Sequence, residues 1–167
     1  LADEGIAEIL SNAGFDWIVV DLEHSCISLD QMGRLIRIIE LSDCSPFVRL
    51  TSNNPMQIKR VLDAGAHGIV VPMVESKEAA LSAVQATRYP PYGNRSVGLA
   101  RAQDYGRGFN EYWKWQETEI TVVIQLESEV ASENAKEILE TPGVSGFIVG
   151  PYDLSASLGI PGDFENP

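Results

Sequence analysis

The chain alternates two apolar patterns. Short runs rich in Val and Ile recur at 16–21, 46–50, 68–73, 121–126 and 144–149. Each is bounded by turn residues, the pattern of strands in a parallel sheet covered on both faces. Between them apolar residues return at helical spacing. Ile6, Ile9 and Leu10 mark a helix over 3–12, and Leu29, Met32, Leu35, Ile36 and Ile39 mark another over 29–41. A third opens at Asn54 with Pro55 as its first residue, and a fourth runs from Ser76 to near Tyr89, where Pro90-Pro91 stops it. A fifth is predicted over 129–140. Repeated strand–helix alternation predicts a parallel sheet with helical cover.

Four of the strand runs end in polar chemistry: WIVVDLEH (17–24), PFVRL (46–50), TVVIQLE (121–127) and GFIVGPYD (146–153). Charges at strand carboxyl ends point into the crevice where α/β folds place their active sites. Because several different strands contribute, a closed (β/α)8 TIM barrel is favoured over a doubly wound sheet, which concentrates its site at one switch point. Only five strands are visible, whereas such a barrel needs eight in roughly 250 residues. The chain opens in a helix and stops at DFENP in a loop. The expectation is a single partial TIM-barrel domain over 1–167, lacking one strand in front and two strands with their helices behind.

Composition narrows the function classes. Apolar residues make up 44% and charged residues 22%, as in a globular protein. No apolar stretch approaches the roughly 18 residues that span a bilayer, so no membrane partner is expected. A net charge of −12 repels phosphate backbones, and no basic patch offsets it, so nucleic acid is not expected either. Cys26 and Cys44 form no CxxC or Cys/His cluster. With an acidic, amphipathic N-terminus, they suit a reducing cytoplasm.

Glu127 and Asp153 each close a strand run, and two carboxylates at one barrel mouth suit a hard cation such as Mg2+ or Mn2+. The alternative is a pair of loop carboxylates, each facing an arginine. Arg49 lies in an apolar strand and needs an acidic partner or a ligand oxyanion. Asp21 is one such partner. Asp21 and His24, three apart, could also form an acid–base pair with the carboxylate orienting the imidazole, and Glu23 could serve in its place. Gly150-Pro151 opens a turn whose amides attract a carboxylate or phosphate. His67 precedes its strand and reads as structural or surface. Three Arg and several Gly in PPYGNRSVGLARAQDYGRGF suggest an anion-contacting or subunit-contacting loop.

Taken in order, AGFDWIVVDLEH, PFVRL, NNPMQIKRVLDAGAHGIVVPMV, ATRYPPYGNRSVGLARA, VVIQLES and GVSGFIVGPYDLSASLG resemble the HpcH/HpaI aldolase/citrate lyase family. The resemblance runs almost end to end. It implies a (β/α)8 barrel and a metal-dependent class II lyase that cleaves a 4-hydroxy-2-oxo acid to pyruvate and an aldehyde. Glu127 and Asp153 would ligate the ion (Mg2+ or Mn2+, with Co2+ a further option), and Gln125 would lie nearby. Arg49 would contact the keto oxygen, His24 with Asp21 would move protons, and Gly150–Tyr152 would hold the substrate carboxylate. Assembly as a homohexamer is implied in the same way. Ser96, where many members have Gly, and a short GLARAQDYG loop depart from the pattern at the aldehyde end. A decarboxylase or CoA-ester lyase on the same core, or a non-catalytic barrel used for binding or assembly, are the competing readings.

Overall fold

The structure, a computed structural model, describes residues 2–165; the last two residues of DFENP lie outside the described residues. Its elements run α1 (Glu4–Ser11), β1 (Trp17–Asp21), α2 (Leu29–Leu41), β2 (Ser45–Arg49), α3 (Pro55–Asp63), β3 (Gly68–Val71) and α4 (Lys77–Thr87). After a 3-10 segment at Arg101–Gly106 come α5 (Phe109–Thr118), β4 (Thr121–Leu126), α6 (Glu129–Glu133), α7 (Ala135–Leu139), β5 (Gly146–Val149) and α8 (Pro151–Ser157). The five strands are parallel and their spatial order equals their chain order. A doubly wound sheet reverses direction at a switch point. Uninterrupted winding is instead the course of a (β/α) barrel, and the chain forms part of one.

Local signals set the boundaries. Ser28 and Gln31 form a reciprocal capping box at the start of α2. Asn54 accepts from Met56 and Gln57 ahead of Pro55, and Ser76 caps α4 through Ala79. One expectation changes: the helix over 129–140 is broken at Asn134 into α6 and α7. One element is new: FNEYWKWQET forms α5.

One face of the sheet is the core. Val20, Val48, Ile69, Val71, Val122 and Ile124 are buried beneath Leu35, Ile36, Ile39, Ile58, Leu62 and Ala83 of the helices. The opposite face turns toward the barrel axis. There Trp17 stacks on Phe47, ring centroids 5.3 Å apart. Gly68 leaves room for that ring, because a Cβ at this position would lie 2.8 Å from it. Trp17 and Phe47, with Val19, Val70 and Val123, line an open hollow of about 440 Å3 that carries Asp21 and Arg49 on its wall.

Candidate functional site

Strand alternation gathers the site. Leu22, Val48 and Leu126 turn into the helix-covered core. Asp21, Glu23, Arg49, Gln125 and Glu127, one position away, therefore take the axis-facing side at the carboxyl ends. Asp21 and Arg49 are direct register partners. The Arg49 guanidinium forks onto Asp21, with Nε at 2.9 Å from Oδ1 and Nη2 at 2.5 Å from Oδ2. Asp21 Oδ1 also accepts the backbone N–H groups of Glu23 at 2.9 Å and His24 at 3.3 Å. Burial tends to raise the Asp21 carboxyl, but Arg49 and these amides together hold it below its ordinary value. Asp21 in turn raises Arg49.

This corrects one detail of the sequence reading. Asp21 holds the His24 main chain, not its imidazole. The carboxylate near the imidazole is Glu23, at 3.7 Å from Nε2. Glu23 also lies 3.5 Å from Arg49 Nε. Its own carboxyl is raised, first by burial and then by the facing charge of Glu127, against the pull of Arg49 and His24. Glu23 is thus a central site residue that the sequence suggested only as a substitute. Its place in DLEH, two positions after Asp21, was the available signal.

Glu127 is buried, and its Oε1 accepts the Met73 backbone N–H at 2.7 Å. Its Oε2 accepts from Gln125 Nε2. Gly150 packs directly on this carboxylate: a Cβ there would be 2.8 Å from Glu127 Oε2. The Gly150 amide, however, donates to Leu126 at 3.0 Å, and Pro151 has none. Gly150 therefore has no amide to offer a ligand, and Tyr152 and Asp153 supply the amides that open α8. Both side chains are exposed; the Tyr152 ring meets Phe164 edge-on at 5.0 Å. Asp153 carries no ion pair or side-chain hydrogen bond among the described residues. The structure thus joins Asp21, His24, Arg49, Gln125, Glu127 and Gly150 into one neighbourhood and leaves Tyr152 and Asp153 at its rim.

The donors fit a hard divalent cation. All are oxygens, and two buried acceptors, Glu23 Oε2 and Gln125 Oε1, have no hydrogen-bond donor. No group of three or more His, Cys, Asp or Glu converges among the described residues. That is compatible with an ion held by one or two carboxylates and completed by small oxygen ligands.

Two of the three arginines of the 90–108 segment, Arg95 and Arg101, serve the scaffold, and the third, Arg107, is exposed. Arg95 meets Asp63 at 2.6 Å, Arg101 meets Glu40 and Arg107 meets Asp104 at 2.9 Å. For Arg95 and Arg101 these pairs replace the expected anion contact. His67 sits 3.6 Å from Glu40 and 3.4 Å from Ser45 Oγ, at the amino end of β3 and away from the site.

Fold and site together define a barrel-type α/β protein whose polar groups converge at strand carboxyl ends. A family model described as HpcH/HpaI aldolase/citrate lyase matches residues 1–167. The chain is 42% identical over 164 residues to a 2-keto-3-deoxy-L-rhamnonate aldolase of Klebsiella pneumoniae, covering 97% of this chain and 61% of that protein. It is 40% identical over 169 residues to a 4-hydroxy-2-oxo-heptane-1,7-dioate aldolase of Salmonella typhimurium, covering 100% and 64%. A solved structure of a family protein from Burkholderia cenocepacia J2315 superposes with a TM-score of 0.93 at 35% identity, covering 100% of this chain and 67% of the other. The chain belongs to the HpcH/HpaI aldolase/citrate lyase family. It spans about three fifths of the length of the curated relatives it matches.

Proposed function

We propose that this chain carries the catalytic core of a divalent-metal-dependent aldolase that cleaves a 4-hydroxy-2-oxo acid to pyruvate and an aldehyde. The carrying observation is the juxtaposition of Arg49 with the half-buried Glu23 carboxylate and the buried Glu127 carboxylate, at least one acceptor oxygen there having no donor. Membership of the family, with two aldolases at about 40% identity, supports the same chemistry.

Glu127 and Asp153 would hold the ion, which when bound supplies positive charge to the substrate's carboxylate and keto oxygens. Arg49, anchored on Asp21, would place a fixed cation where negative charge grows on the keto oxygen, the largest expected single contribution. Removal of the C4 hydroxyl proton lets the C3–C4 bond break; its electron pair becomes the C2–C3 double bond of pyruvate enolate, and the aldehyde departs. His24 would take that proton, with Glu23 beside its imidazole. Return of a proton to C3 completes pyruvate. Lys59, Lys77, Lys114 and Lys136 all lie on helices and none on a strand end, which favours this route over a Schiff base.

Mg2+ or Mn2+ as the ion, homohexameric assembly and a cytoplasmic setting belong to the same proposal. Free Cys26 and Cys44 are consistent with a reducing setting, and no helix among the described residues is long and apolar enough to cross a membrane. The test is exchange of pyruvate methyl protons with deuterated solvent, with and without EDTA, in wild type and Glu127→Ala. Metal-dependent exchange lost in the variant is expected; exchange that survives both treatments overturns the proposal.

A further inference from the structure

The turn after β3 is held in an unfavourable shape. Met73 has a φ of 52°, a left-handed conformation that is unfavourable for a non-glycine residue. Such outliers persist only where the surroundings over-determine them, and they concentrate at functional sites. This one has a local consequence: it aims the Met73 N–H at Glu127 Oε1, 2.7 Å away.

What holds the turn lies two residues on. Val74 is fully buried. The Glu75 carboxylate accepts the Ser128 hydroxyl at 2.7 Å, and the Glu75 carbonyl accepts Asn134 Nδ2 at 2.8 Å. Ser128 follows Glu127 directly, is itself buried, and caps α6 by accepting from Ala131 at 3.1 Å. The break between α6 and α7 at Asn134 thus coincides with the second tie to Glu75. The β3 turn is fastened to the chain just after Glu127 at two points, Ser128 and Asn134.

We propose that Glu75 is a positioning residue whose hydrogen bond to Ser128 clasps the two turns and fixes the direction of the Glu127 carboxylate. The inference rests on Glu127 being an ion-holding group. A carboxylate tethered through Oε1 to Met73 and through Oε2 to Gln125 presents its remaining lone pairs in a fixed direction, and outer hydrogen bonds of this kind typically alter metal affinity about 10–100-fold. The interaction requires an acceptor at position 75 and a hydroxyl at 128; it does not require a negative charge.

The test titrates Mn2+ against wild type, Glu127→Ala, Glu75→Ala, Glu75→Gln and Ser128→Ala. Free Mn2+ is followed by electron paramagnetic resonance, and thermal stability in EDTA is recorded in parallel. Glu75→Ala and Ser128→Ala are expected to weaken binding about tenfold or more. Glu75→Gln, whose amide oxygen still accepts the hydroxyl, should stay within roughly threefold of wild type. Wild-type affinity in Glu75→Ala, with only a lower melting temperature, reduces Glu75 to a structural part and overturns the clasp. So does a Glu75→Gln defect as large as that of Glu75→Ala, because charge would then be responsible. Wild type that binds no Mn2+ in a Glu127-dependent way overturns the metal site itself, and the clasp's role with it.

Discussion

Arg49 and Asp21 face each other across neighbouring strands and share two parallel hydrogen bonds, at 2.9 and 2.5 Å. Only a guanidinium makes such a fork. Arg49→Lys keeps the charge but can satisfy only one Asp21 oxygen at a time, and its ammonium is free to swing. Enolisation of pyruvate is expected to fall on the order of 100-fold, with a much smaller loss of stability. Single-turnover exchange and a melting curve on the same variant check this; an unchanged exchange rate would remove Arg49 from the chemistry.

Asp21 and Glu23 titrate in opposite senses. Asp21 is held below its ordinary 3.8, so its contribution to stability is present above that value and is lost as pH falls through the lower folded value. Glu23 is raised above its ordinary 4.5, so the folded state binds its proton more tightly than the unfolded state does. Stability therefore declines as pH rises from 4.5 through the folded value and stays lower beyond it. In EDTA, Glu23→Gln is expected to melt above wild type at neutral pH, with the gap closing below 4.5. A variant that melts lower at pH 7 would show that the Arg49 and His24 contacts outweigh burial and the Glu127 charge.

Gly150 carries a φ of −92°, open to any residue, so its role is space and not backbone freedom. An alanine Cβ would stand 2.8 Å from Glu127 Oε2 and 2.9 Å from Glu127 Cβ. Gly150→Ala must therefore push Glu127 aside or move α8. The expected result is about 1–3 kcal/mol of destabilisation together with roughly tenfold weaker Mn2+ binding. Calorimetric titration of Mn2+ at matched folded fraction separates the two effects, and wild-type affinity there would show that Glu127 has room to yield.

Much of this arrangement was legible along the chain because its signals are local. The Ser28 and Gln31 capping box marks the start of α2, and Asn54-Pro55 marks the start of α3. Period-two alternation through DLEH and QLE assigns Asp21, Glu23, Gln125 and Glu127 to one face. What was not legible depends on register and turns. Asp21 takes Arg49 and not the His24 imidazole because β1 and β2 place the two side by side. The helix over 129–140 breaks where Asn134 reaches a carbonyl 59 positions away. Helix α5 was hidden by the Gly- and Arg-rich stretch before it, although Phe109, Tyr112, Trp113 and Gln116 share helical spacing.

Arg95 decides between the two readings of the 90–108 segment. Its guanidinium is out of solvent, 2.6 Å from Asp63, 2.9 Å from the Tyr112 hydroxyl and 4.8 Å from the centre of the Tyr89 ring. A charge so placed is costly to desolvate, and removing one partner strands the other. Arg95→Ala leaves Asp63 without its cation and empties the space between two aromatic rings. The expected loss is about 3–5 kcal/mol, a large share of a domain's total stability. Asp63, which keeps some access to water, should lose less when changed to Asn, and the double variant should be less unstable than the sum of the two. Urea denaturation of the four proteins measures this coupling. If Arg95→Ala instead unfolds like wild type but binds the oxo acid more weakly, the arginine contacts an anion and its role in the scaffold is wrong.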